Sequence, residues 1–124
     1  EAIMLHTPRN RAQAKERAIE MLKLVNINEP EKRMKQYPFE FSGGMRQRIV
    51  IAMALACEPD ILIADEPTGN LDSNSTREIM QILRDLYNEG RTVILITHDN
   101  EIAQQANRVI TISDGKIISD VMNN

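Results

Sequence analysis

The stretch Ile61-Leu62-Ile63-Ala64-Asp65-Glu66 limits what this chain can fold into more than any other. Four apolar residues follow Pro59-Asp60 without interruption, and two adjacent carboxylates and then Pro67 close the run. So short an apolar run between prolines reads as a strand buried on both faces, as inside a parallel sheet. Strands of that kind deliver whatever follows them to the carboxyl edge of the sheet, where α/β proteins hold their ligands. Two acids at that edge need a cation, a set of donors or water, because an unpaired carboxylate in a core is costly. An acidic surface turn is the plainer alternative, and only the rest of the chain decides between them.

The remaining elements follow from periodicity. From about Arg9 to Val25, the residues Ala14, Ala18, Leu22 and Val25 fall on one helical face with Met21 beside them, and the charged residues take the solvated face. Pro38 disfavours helix at Tyr37, so Tyr37 to Phe41 is extended. Ser42 is placed to cap a helix in which Met45, Ile49, Ala52, Met53 and Ala56 recur at helical spacing until Glu58-Pro59. Gly43 and Gly44 leave its first N–H groups unshielded, a place where an anion can sit. Methionines at this spacing are core filler rather than cofactor ligands, and Cys57 in the same pattern is a buried small hydrophobe. Asp72 or Ser73 caps a further helix whose stripe is Ile79, Ile82, Leu83 and Leu86, with Gly90 at its end. Thr92 to Thr97 is a second buried strand ending in His98-Asp99, and a short helix spans about Glu101 to Ala106. Arg108 to Ser113 is a third strand, which Asp114-Gly115 turns back antiparallel through Lys116 to Ser119.

Composition narrows the function. A net charge of -3 argues against a nucleic-acid-binding surface. The single cysteine can form no internal disulfide, which fits a reducing compartment. No run approaches the roughly 18 apolar residues of a membrane span. Glu1 in place of Met, followed by Ala2-Ile3-Met4-Leu5, reads as the interior of a longer protein.

Four polar clusters thus sit at strand or helix ends: Ser42-Gly43-Gly44, Asp65-Glu66, Leu71-Asp72 and His98. A carboxylate pair, a histidine and an anion-ready helix start are what phosphate-ester chemistry with Mg²⁺ asks for. One acid holds the metal, another orients and deprotonates water, and donors meet the phosphoryl oxygens.

In this order and spacing the residues resemble the ATP-binding subunit of ABC transporters. Phe41-Ser42-Gly43-Gly44-Met45-Arg46-Gln47-Arg48 is similar to the family signature, Ile61 to Glu66 to the Walker B strand, Gly69-Asn70-Leu71-Asp72 to the D-loop, and Thr97-His98-Asp99 to the histidine switch. The resemblance implies a partial P-loop NTPase fold of the α/β class. Residues 1–57 would form the helical signature subdomain, and residues 58–124 the later part of the ATPase core, with a parallel sheet and a C-terminal β-hairpin. It implies that Asp65 holds Mg²⁺ through its waters, Glu66 is the general base and His98 contacts the γ-phosphate. Ser42, Gly43, Gly44 and Met45 would close on ATP bound to a second ATP-binding subunit, and Asp72 would couple the two sites. Transmembrane permease subunits are the further partners implied, with no nucleic acid, at the cytoplasmic face of the cell membrane.

The sequence also departs from the family pattern. Met45 stands where glutamine is usual and Phe41 where leucine is usual. None of the five glycines begins a Gly-x-x-x-x-Gly-Lys-Ser/Thr loop, so the P-loop is absent from these 124 residues, as are the adenine-stacking aromatic and the glutamine loop. By itself the chain is therefore expected not to hydrolyse ATP, and a non-catalytic interaction or dimerisation module is the alternative reading. The family's sheet order places the P-loop strand beside Thr92–Thr97; with that edge open, self-association of the chain is expected. Residues up to about Pro67 resemble oligopeptide and dipeptide importers. Those from Thr68 resemble macrolide-export and lipoprotein-release ATPases, as a chimera joined near residues 65–68 would.

Overall fold

The structure is a computed structural model that describes residues 11–25, 27 and 43–123. The expected extended segment at 37–41 and the helix cap Ser42 lie outside the described residues. Helix α1 spans Arg11–Leu24 and α2 spans Gly43–Leu55. Strand β1, Ile61–Asp65, is followed by α3, Ser73–Asn88, and then β2, Thr92–Ile96. A single-turn α4, Asn100–Ala103, leads to β3, Arg108–Ser113, and β4, Lys116–Met122.

β1 and β2 pair in parallel, with Ile61 opposite Thr92 and Asp65 opposite Ile96. The crossover between them is α3, as parallel pairing requires. Asp72 caps α3 in extended geometry, its side chain accepting from the Ser75 N–H. At the other end Gly90 takes φ +98°, a left-handed conformation that glycine adopts without penalty just past a helix. Ile79, Ile82, Leu83 and Leu86 recur at helical spacing and are all buried. They form one core with Met21, Leu22 and Val25 of the α1 segment, Ile51, Ala52 and Leu55 of α2, and Leu62 of β1. α2 is further tied to α3 by the Arg48–Glu78 ion pair.

β3 and β4 form a separate antiparallel hairpin. Its turn residues Asp114 and Gly115 both have positive φ, +51° and +76°, the pattern that matches strand twist in a two-residue turn. The return strand runs three residues past the expected Ser119, because a register shift after Thr111 lets pairing resume as far as Arg108 opposite Met122.

Three expectations are corrected. β1 and β2 are not buried on both faces: Ile61, Ile63, Ile94 and Ile96 are exposed, since among the described residues helices cover only one side of the pair. Met53 is exposed too, because α2 is apolar around most of its circumference and periodicity could not choose its inward face. Gly44, Ile51, Ala52 and Leu55 are the residues that α2 buries. Cys57 is exposed, since α2 ends at Leu55 and the chain turns out through Cys57 to Glu58, whose φ is +52°. That turn is held on the core by Arg91, which donates to the Pro59 carbonyl at 2.9 Å, and by Arg17, 3.5 Å from Glu58.

Candidate functional site

The carboxyl ends of β1 and β2 are neighbours, so the residues after them meet. Glu66 directly follows β1 and its N–H donates to the Ile96 carbonyl at 2.8 Å, continuing the ladder by one bond. Its φ of +46° is a left-handed conformation unfavourable for a side chain with a Cβ. The Gly69 N–H, donating to the Glu66 carbonyl at 3.1 Å, closes the tight turn that holds it there. Strain of this kind persists where the surroundings over-determine it, and it gathers at functional sites.

The Glu66 carboxylate faces the loop after β2. Oε1 accepts from the His98 main-chain N–H at 2.8 Å and lies 2.6 Å from His98 Nδ1. Oε2 accepts from the Thr97 hydroxyl at 3.3 Å. An ionised carboxylate only accepts, so Nδ1 is the protonated ring nitrogen of this pair and Nε2 is left free. The imidazole is 91% exposed, which leaves that nitrogen open to an incoming group. The His98 side-chain hydrogen bond is the main reason that the Glu66 carboxyl lies below its ordinary value, with the His98 N–H and the Thr97 hydroxyl adding to it.

Asp65 ends β1 on the same side as Ile63 and is exposed. Among the described residues no group of three or more histidine, cysteine or acidic side chains could hold a metal. At phosphate sites Mg²⁺ takes one or two carboxylates and completes its shell with water and phosphate oxygens. Asp65, exposed at this edge, is an oxygen donor of that chemical class.

The start of α2 lies against the first turn of α3 and the Leu71 side chain just before it. A Cβ on Gly44 would stand 2.7 Å from Ser75 Oγ and 3.0 Å from Ser75 Cβ, and one on Gly43 would stand 3.4 Å from Leu71 Cδ2. Gly44 is thus buried and needed for close packing, beside any part its N–H plays toward an anion. Met45 follows it, half-buried. Asp72 Oδ1 accepts from Ser75 N–H at 2.7 Å, and that N–H is the main cause of its lowered carboxyl value. Of the residues singled out in the sequence, Glu66 and His98 come together at one edge, with Asp65 adjoining. Gly44 and Asp72 meet at Ser75, Gly43 lies against Leu71, Met45 follows them in α2, and Ser42 lies outside the described residues. Thr97 and Asp99 are the residues that reading the motif undervalued. Their signal was present, since a threonine and an aspartate flanking a loop histidine are the residue types that bond to nearby main chain.

The family model for ABC transporters matches residues 2–69. The chain is 50% identical over 119 residues to the dipeptide transport ATP-binding protein DppD of Bacillus subtilis, covering 94% of this chain and 36% of that protein. It is 47% identical over 119 residues to the macrolide export ATP-binding/permease protein MacB of Agrobacterium fabrum, covering 96% of this chain and 18% of that one. Both kinds of relative expected from the sequence are therefore found. Both align through residues 65–68, which lends no support to a join there. Among solved structures it matches the dimeric bacterial ABC transporter cassette MJ0796, with TM-score 0.79 and 37% identity over 94% of this chain and 50% of that chain. A second structure of that cassette is a post-hydrolysis state bound to ADP and Pi. The chain thus spans about a third of the length of the peptide-transport relatives it matches.

Proposed function

The chain belongs to the ABC transporter family, and from that membership we propose that it forms the water-activating and partner-facing part of an ATP-hydrolysing subunit. The observation that carries the reading is the meeting of Glu66 and His98, 32 residues apart in sequence, at 2.6 Å on the carboxyl edge of a parallel strand pair. Glu66 takes a proton from the attacking water as the new oxygen–phosphorus bond forms and the bond to the ADP oxygen breaks. His98 keeps Nδ1–H on Glu66 and turns Nε2 to a phosphoryl oxygen. Nε2 donates there only when the ring carries both protons, and the Glu66 carboxylate supplies the countercharge. Asp65 would hold Mg²⁺ through water, and the ion would supply countercharge to the phosphates. Ser42, Gly43, Gly44 and Met45 present donors to nucleotide on a second subunit, with Asp72 beside them at the same contact. We assign residues 1–57 to the helical signature part of such a subunit and residues 58–124 to the later part of its catalytic core.

The dimeric state of the MJ0796 cassette supports a paired arrangement, and the transporter names of the relatives support permease partners at the membrane. No helix among the described residues is long and apolar enough to cross a membrane. The test is Mg²⁺-dependent ATP turnover by the complete subunit that carries this sequence. Glu66→Gln is expected to lower turnover by about a hundredfold or more, the usual contribution of a general base. Full turnover by that variant would remove Glu66 from the chemistry.

A further inference from the structure

The two oxygens of the Glu66 carboxylate are held unequally. Oε1 takes two bonds from His98, through its main-chain N–H and its ring. A carboxylate oxygen offers about two lone-pair sites, so those contacts fill Oε1. Oε2 takes the Thr97 hydroxyl at 3.3 Å, which leaves it one site open. The hydroxyl is itself fixed. Thr97 Oγ1 accepts the Asp99 N–H at 3.0 Å, which turns its hydrogen toward Glu66. Asp99 is anchored in turn as the cap of α4, Oδ1 accepting from the N–H groups of Glu101 at 2.9 Å and Ile102 at 3.4 Å.

We propose that Thr97 is a positioning residue for hydrolysis: donating to Oε2 while Asp99 N–H holds its oxygen, it fixes the direction of the lone pair left open on the oxygen that takes the water proton. The inference rests on Glu66 being the general base. His98, with both its bonds on Oε1, leaves Oε2 as the oxygen for the proton, and the direction of its lone pair is set by Thr97. The 3.3 Å separation is that of a contact able to shorten once substrate is bound, as hydrogen bonds at catalytic groups do.

The test uses the complete subunit with Thr97→Val, which keeps the side-chain shape and removes the hydroxyl. Loss of one hydrogen bond to a charged acceptor predicts a fall in kcat of about tenfold, with KM for ATP changed by less than about twofold. Thr97→Ser retains the hydroxyl and is expected to restore kcat to within about twofold of the parent. Thr97→Ala is the second deletion, used if the valine variant does not fold. A deletion variant with parental kcat overturns the proposal, as does a serine variant as slow as valine or an effect carried by KM alone. Glu66→Gln measured alongside separates the two readings. If that variant still turns over fully, the assignment of Glu66 fails. If it is inactive while both hydroxyl deletions run at the parental rate, only the positioning role fails.

Discussion

The two faces of the β1–β2 pair are made from the same kinds of residue and meet opposite surroundings. Leu62, Ala64, Val93 and Leu95 pack on the core that α3 builds with α1 and α2. Ile61, Ile63, Ile94 and Ile96, alternating with them, face away and are 45% to 63% exposed. Residue type does not distinguish the faces; what lies opposite does. Parallel sheets in α/β proteins are covered on both sides, and a contiguous bare apolar patch marks a surface that another element meets. The chain covers 50% of the solved cassette it matches. An unbroken apolar run therefore reports the surroundings of a whole domain, and the described residues supply only one of those surroundings.

The largest effect should separate the faces outright. Leu86 is fully buried, and Leu86→Ala is expected to cost about 2–5 kcal/mol in denaturant unfolding, through lost transfer energy and the cavity left behind. Ile63 is 63% exposed, and Ile63→Lys should cost less than about 0.5 kcal/mol in this chain. Should the chain self-associate through this face, the same lysine would lower the mass seen in light scattering at high concentration, because a charge there disfavours burying the apolar patch. If Ile63→Lys unfolds the chain as Leu86→Ala does, the faces are not energetically distinct. A smaller effect concerns how the covered side is closed. Gly44→Ala places a methyl against Ser75 and is expected to cost about 1–3 kcal/mol by overpacking. Adding Ser75→Gly should recover much of that loss in a double-mutant cycle. Equal costs with and without Ser75 would move the reason for the glycine elsewhere.

What could be read in advance follows the same division. The α3 stripe, the Asp72 cap, Gly90 and the Asp114-Gly115 turn were legible because each is fixed by local chemistry within a few residues. The meeting of Glu66 with His98 was legible at one remove, since two parallel-type strands must end on the same edge. The inward face of α2 was not, because apolar residues surround most of the helix and nothing local selects Ile51 over Met53. Nor was the second duty of Gly44, which depends on Ser75 arriving from another helix. Thr97 was passed over for a similar reason. Its hydroxyl gains a role only from where Glu66 and Asp99 stand in space.

The smallest effect belongs to the exposed rim between the faces, where two carboxyls lie below their ordinary values. Hydrogen bonding by His98 lowers Glu66, and the Ser75 N–H lowers Asp72. A carboxyl lowered in the folded state stabilises fully at pH above its unfolded value, here 4.5 for Glu66 and 3.8 for Asp72. That contribution drains away as pH falls through the lowered values, because the unfolded chain takes up its protons first. The melting temperature should therefore decline as pH drops below 4.5. Asp72→Asn keeps an oxygen that can cap α3 but cannot titrate, so it should leave the melting temperature near the parental value at neutral pH and flatten the acid decline. Glu66→Gln should flatten it further, over the range that begins nearer 4.5. The two changes lie in different hydrogen-bond groups and should add. A double variant that declines with acid as steeply as the parent would place the acid sensitivity elsewhere, and the rim would then contribute function without contributing stability.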